Sequence, residues 1–159
     1  MKTNIINLFS LFILASLFTA CSDDDKADTV KPVVRLIAPA EGDILQIGKD
    51  IHFEMEVSDD VMLGSYKVEI HNNFDHHGAH KSKAEADSIP FAFNKSWDVS
   101  GKKNTHVHHD EITIPANAKT GDYHFMVYCT DAAGNEANVI ALNVVLSSEG
   151  KSGEDHHHE

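Results

Sequence analysis

The sequence predicts an all-β domain built from two packed sheets. Three observations carry that expectation: clean apolar–polar alternation in several short segments, turn-forming clusters between them, and no segment of convincing helical period. The first candidate strand covers residues 33–37. In residues 51–57, Ile51, Phe53, Met55 and Val57 alternate with His52, Glu54 and Glu56, the period-2 signature of a half-buried strand. Residues 65–71 make a third, with Tyr66, Val68 and Ile70 on one side and Lys67, Glu69 and His71 on the other. Residues 91–99 and 105–114 are the fourth and fifth candidates. Within the fifth the phase changes: Val107 lies on one parity, Ile112 and Ile114 on the other, which predicts a bulge near residues 109–111. Tyr123, Phe125, Val127 and Cys129 form the sixth alternating set, ended by the turn cluster Asp131-Ala132-Ala133-Gly134-Asn135. Residues 139–146 are almost continuously apolar and make the seventh.

About seven short strands at this spacing suggest an immunoglobulin-like β-sandwich. The run Pro32-Val33-Val34-Arg35-Leu36-Ile37-Ala38-Pro39-Ala40-Glu41-Gly42 resembles the opening of bacterial Ig-like repeats. Ser58-Asp59-Asp60-Val61, Gly121-Asp122-Tyr123 and Thr130-Asp131-Ala132-Ala133-Gly134-Asn135 follow the same pattern. The resemblance spans residues 31–146 and places Tyr123 where a tyrosine corner belongs. One departure is a long His-rich insertion, residues 72–90, between the third and fourth strands. With Glu69-Ile70-His71-Asn72-Asn73-Phe74-Asp75 and Val107-His108-His109-Asp110-Glu111-Ile112, the chain is similar to a group of bacteroidete lipoproteins known only as a domain of unknown function. That resemblance implies a fold and an address and leaves activity open.

The N-terminus reads as a targeting segment. Lys2 precedes an apolar stretch over residues 5–18, too short for a stable span, so residues 1–20 are expected to be a signal peptide. Phe18-Thr19-Ala20-Cys21 resembles a lipobox, which implies lipidation of Cys21 and a membrane anchor held by acyl-chain burial. Residues 21–30 form an acidic linker, and Ser22-Asp23-Asp24-Asp25-Lys26 resembles the signal that sends bacteroidete lipoproteins to the outer face of the outer membrane. Residues 147–159 are expected to be a disordered tail; its three histidines, His156 to His158, fall short of a purification tag.

The net charge of −12 and a single arginine argue against nucleic acid, whose phosphates need clustered cations. Two cysteines cannot make a disulfide framework; Cys129 reads as a buried free thiol and Trp97 as a core residue. The unusual feature is twelve histidines in 159 residues. One cluster, His71, Asp75, His76, His77 and His80, lies in and beside the insertion. The other, His106, His108, His109, Asp110 and Glu111, lies on the fifth strand. Neutral imidazole with neighbouring carboxylate suits Zn²⁺ or Cu²⁺. On a strand, His106 and His108 stand about 7 Å apart on one face, too far to share a metal without bending. The expected ligands are therefore His71, Asp75, His77, His80, His106, His108 and His109, with His71, Asp75 and His77 meeting His106 or His108. His52 and His124, on alternating strands, read as solvated outward residues.

Asp59, Asp60 and Asp131 lie in loops that an Ig-like topology gathers at one end, where oxygen ligands suit Ca²⁺; capping of local backbone N–H groups in turns is the simpler explanation of the same residues. No nucleophile motif is present, so an enzyme is not expected. The function expected is a surface-tethered outer-membrane lipoprotein that binds a divalent transition metal, zinc or copper, with an outer-membrane transporter or surface complex as its partner. The alternative is an Ig-like adhesion or interaction module without metal, its histidines forming a polar face.

Overall fold

A computed structural model describes residues 27–74 and 88–149 of the chain. The targeting segment, Cys21, Asp75, His76, His77, His80 and the terminal histidines lie outside these residues. The described residues form eight strands: β1 (Val33–Ala38), β2 (Ile44–Gln46), β3 (Asp50–Ser58), β4 (Leu63–Asn72), β5 (Phe93–Asp98), β6 (Asn104–Thr113), β7 (Gly121–Asp131) and β8 (Ile140–Ser147). They build a three-stranded sheet, β1-β3-β6, and a five-stranded sheet, β2-β8-β7-β4-β5. Neighbours are antiparallel except β2, which runs parallel to β8. Every described element is β, so the all-β sandwich expectation holds. The three-residue β2 has no counterpart in the sequence reading, and the insertion accordingly falls between β4 and β5.

Alternation explains the layering. Ile51, Phe53, Met55 and Val57 of β3 point inward, opposite Tyr66, Val68 and Ile70 of β4 and Tyr123, Phe125, Val127 and Cys129 of β7. Phe53, Met55, Val68, Tyr123 and Phe125 are fully buried. Each such side chain contributes about 1.5–3 kcal/mol through the apolar surface it removes from water. Cys129 is a buried free thiol, as expected, and burial pushes it up to about 11, with the Asp59 and Asp131 carboxylates adding to the effect. Gly64 is required where β4 passes β7: a Cβ there would stand 2.5 Å from the Asp131 carbonyl oxygen.

The predicted bulge is present, and its position matters. Phe53 pairs with His109, but Ile51 pairs with Ile112, so His52 on β3 faces both Asp110 and Glu111 on β6. Before the bulge Val107 and His109 share the inward parity; after it Ile112 takes over as a core residue. A single register shift therefore lets β6 bury apolar side chains at both of its ends.

Tyr123 closes the end of the sandwich from which the insertion departs. Its hydroxyl donates to the Lys119 carbonyl at 2.8 Å and accepts from the Phe91 N–H at 3.1 Å, while Phe74 packs edge-on against its ring at 5.4 Å. Tyr123→Phe leaves the buried Phe91 N–H without its acceptor. We expect a loss of about 1–3 kcal/mol in chemical denaturation, seen as a melting temperature lower by roughly 3–10 °C. An unchanged midpoint would show that the hydroxyl does not hold this end.

Candidate metal centre

The outward parity of β3 carries His52, Glu54 and Glu56, and that of β6 carries His106, His108 and Asp110. Register sets Glu54 opposite His108 and Glu56 opposite His106. The contacts run diagonally. His52 Nδ1 lies 3.4 Å from Asp110 Oδ1, and the His52 and His108 rings meet edge-on with centroids 4.8 Å apart. One ligand atom each from His52, His108 and Asp110 lies within 4.8 Å of the other two. Ligands around a tetrahedral zinc at about 2.0–2.1 Å sit about 3.4 Å from one another. The His52–Asp110 pair already has that spacing, and all three residues are exposed.

Glu54 organises the cluster from beside it. Its Oε1 is 2.7 Å from His106 Nε2 and its Oε2 is 3.5 Å from His52 Nε2. The His106 hydrogen bond holds the Glu54 carboxyl below the usual range, against the opposing effect of burial, with His52 adding to the lowering. His52 thus has a carboxylate beside each ring nitrogen, Glu54 at Nε2 and Asp110 at Nδ1. A carboxylate placed beside one ring nitrogen is the means by which neighbours orient a histidine ligand. Glu56 is occupied otherwise, by Arg35 of β1 at 2.9 Å.

The sequence expectations fare differently. His108 joins the cluster and His106 borders it through Glu54. His109 requires correction as a ligand: preceding the bulge, it shares Val107's inward parity. Its ring stacks on Trp97 at 4.8 Å and Phe53 at 4.9 Å. Its Nε2 lies 2.9 Å from the Tyr66 hydroxyl and its Nδ1 3.4 Å from the Glu111 N–H, so protein groups meet both nitrogens. Trp97 is half-buried beside it, and Glu111 faces β5, accepting from Lys95 at 2.6 Å and Trp97 Nε1 at 2.9 Å.

His71 also departs from expectation. It lies on the outward parity of β4, in the other sheet, so it and His108 face opposite sides of the sandwich and cannot share an ion. Its partner is His124 of β7, directly across the ladder, with His124 Nδ1 3.3 Å from His71 Nε2. Glu69 approaches the opposite nitrogen, His71 Nδ1, at 3.6 Å, so these three groups do not converge. His52 and Asp110 are the residues missing from the expected ligand set. His52 does face outward, but the neighbouring strand turns a solvated position into a cluster. Their signal is the alternation of His52 and His108 opposite core residues, legible once β3 and β6 are known to pair.

The family profile described as "Domain of unknown function (DUF4625)" matches residues 19–146. The chain belongs to this family. The DUF4625 match takes in all eight strands except the last residue of β8. No curated protein matches the chain. Two crystal structures of the SrpA adhesin from Streptococcus sanguinis, one of them a point mutant, are similar to it. Their TM-scores are 0.42 and, for the mutant, 0.41, at 16% and 17% identity. The likeness covers 77% and 76% of this chain but only 59% and 57% of the adhesin chains, so the chain spans less than two thirds of their length. At that distance the adhesins say nothing about what this DUF4625 domain binds.

The site's neighbour His109 makes a test possible. Burial pushes its imidazole down, with Glu111 opposing the effect, so the folded domain prefers the neutral ring. The unfolded chain takes up the proton near pH 6.5. Stability from this residue is thus complete above about pH 6.5 and is lost as pH falls toward the lower folded value. His109→Phe keeps the stacking, and urea denaturation should show a smaller decline between pH 7.5 and 5.5 than in the unmutated chain. An equal decline would mean that His109 is not the titrating group.

Proposed function

We propose that this DUF4625 domain is a lipid-anchored, non-enzymatic module that captures a divalent transition metal, zinc or copper, on the outer face of its three-stranded sheet. The observation that carries the proposal is the convergence of His52, His108 and Asp110, with one ligand atom from each within 4.8 Å of the others. Two imidazoles and a carboxylate match the donor preference of Zn²⁺ and Cu²⁺, and Glu54 supports one ligand as an outer acceptor. Solvent fills the remaining coordination positions. Such a site exchanges its ion readily with a competing ligand, which suits handing metal to an outer-membrane transporter or surface complex.

The lipobox-like Phe18-Thr19-Ala20-Cys21 and the acidic Ser22 to Asp25 support the address: cleavage of residues 1–20, lipidation at Cys21, a short linker to residue 30 and display at the outer membrane surface. The body, residues 31–146, is read as Ig-like, a reading supported by two packed sheets and the Tyr123 hydroxyl bonded to the carbonyl four residues earlier. Capture suits the site better than catalysis because an open sheet face neither encloses nor desolvates a substrate.

Equilibrium titration with Zn²⁺ and Cu²⁺ tests this, using the chain with His156, His157 and His158 changed to Ala so that the tail does not compete. We expect a dissociation constant tighter than roughly 10 μM, about −7 kcal/mol. His52→Ala with His108→Ala should weaken binding at least tenfold, Glu54→Gln by roughly tenfold, and His71→Ala not at all. Affinity should also drop on going from pH 7.5 to 5, because protons compete for the imidazoles. Weaker binding than this threshold, or loss in His71→Ala alone, would overturn the assignment.

A further inference from the structure

A second constellation lies at the opposite end of the strands and has no histidine in it. Asp28, in the segment leading into β1, comes together with Asp59 and Asp60 of the β3–β4 turn, one carboxylate oxygen of each within 4.8 Å of the others. Asp131, grouped with these turn aspartates by sequence, is already satisfied. Its Oδ1 accepts the Asn135 N–H at 2.8 Å and its Oδ2 accepts Asn135 Nδ2 at 2.7 Å. Turn capping accounts for it fully.

Asp59 is different. Its Oδ2 caps the turn, accepting the Val61 N–H at 3.0 Å and the Met62 N–H at 2.7 Å. Its Oδ1 is sealed from solvent and has no hydrogen-bond partner. The residue as a whole is half-buried, but this oxygen is closed off. A buried, unpaired carboxylate oxygen is costly and calls for an ion or a water. No ion pair involving Asp28, Asp59 or Asp60 occurs among the described residues; Lys103 reaches this turn only through the Asp60 carbonyl, at 2.7 Å. Three carboxylates held this close repel one another unless a cation sits between them.

The lead segment is steered to this place. Asn135 Nδ2, while bonded to Asp131, also donates to the Asp28 carbonyl at 3.0 Å, and Asp28 Oδ1 accepts the Val30 N–H at 3.0 Å. The Asp28 backbone is thereby docked on the β7–β8 turn, which presents its carboxylate to Asp59 and Asp60.

We propose that Asp28, Asp59 and Asp60 form a site for a hard divalent cation, calcium by its all-oxygen donor set, that clips the N-terminal lead segment to the end of the sandwich. Asp59 supplies a buried ligand, Asp28 a half-buried one and Asp60 an exposed one, and water completes the six to eight positions calcium takes. The clip fixes how the domain stands on whatever precedes residue 27. It is chemically and spatially separate from the histidine cluster and does not depend on it.

Calorimetric titration of the full chain with CaCl₂, in buffer free of transition metals, tests the site. Saturable one-to-one binding is expected, with a dissociation constant on the order of 10⁻⁴–10⁻³ M. Asp59→Asn keeps a carbonyl oxygen for the Val61 and Met62 N–H groups but puts an amide where the cation would sit. Asp28→Asn lies outside the strands and leaves the core untouched. Each should weaken calcium binding at least about tenfold, and His52→Ala with His108→Ala should leave it unchanged. Calcium should also slow hydrogen exchange of the 28–30 amides at least about threefold, an effect lost in Asp28→Asn. The proposal is overturned by no saturable heat up to about 10 mM calcium, ten times the weakest affinity expected. It also fails if calcium binds both Asp variants as it binds the unmutated chain, or if binding is lost with the histidines instead.

Discussion

The pairing of β3 with β6, and the bulge that sets His52 against both Asp110 and Glu111, governs the organisation of this half of the molecule. Without the extra residue, β6 would have to choose between burying Val107 at one end and Ile112 at the other. With it, both reach the core, and Asp110 and Glu111 are freed from strict alternation. Both are then exposed and serve different neighbours. Asp110 turns to His52 on the adjoining strand; Glu111 turns across to Lys95 and Trp97 of the other sheet. The His52–His108–Asp110 cluster on one side and the link between the sheet edges on the other arise from the same local irregularity.

His109 shows what this costs and what it secures. A histidine facing a sandwich interior must find partners or destabilise it, and here it sits within an aromatic run of Phe53, Tyr66 and Trp97, with the Tyr66 hydroxyl on Nε2. The Glu111 N–H lies on the Nδ1 side, which favours the neutral tautomer carrying its proton on Nε2. Three consecutive polar residues of β6 thus face different ways: His108 toward the outward cluster, His109 toward the core, Asp110 toward the outward cluster. Alternation assigns all three, and the bulge adds Glu111 to the exposed residues.

Much of this was legible from sequence and some of it was not, for physical reasons. β3, β4 and β7 announce themselves because one face of each is packed and the other wet, so their residues alternate. β5 reads weakly because it is an edge strand whose residues are mostly exposed, and β2 is too short to carry a period. The bulge follows from the parity change between Val107 and Ile112, and the same parity places His109 inward with Val107. The identity of the site's second strand does not follow. His52 and His108 are far apart in sequence, and only the antiparallel register of two strands joined through intervening elements of the other sheet makes them neighbours. Likewise, Asp59 and Asp60 are visible as turn residues, but the approach of Asp28 depends on Asn135, across the fold.

The assignment of metal to β3 and β6 turns on which imidazoles reach the ion, and pulsed EPR of the chain loaded with one equivalent of Cu²⁺, its tail histidines replaced, counts them directly. His52 and His108 predict two coordinated imidazoles, falling to one in either His52→Ala or His108→Ala and unaffected by His71→Ala. Two imidazoles persisting when both His52 and His108 are removed would place the metal elsewhere and contradict the site.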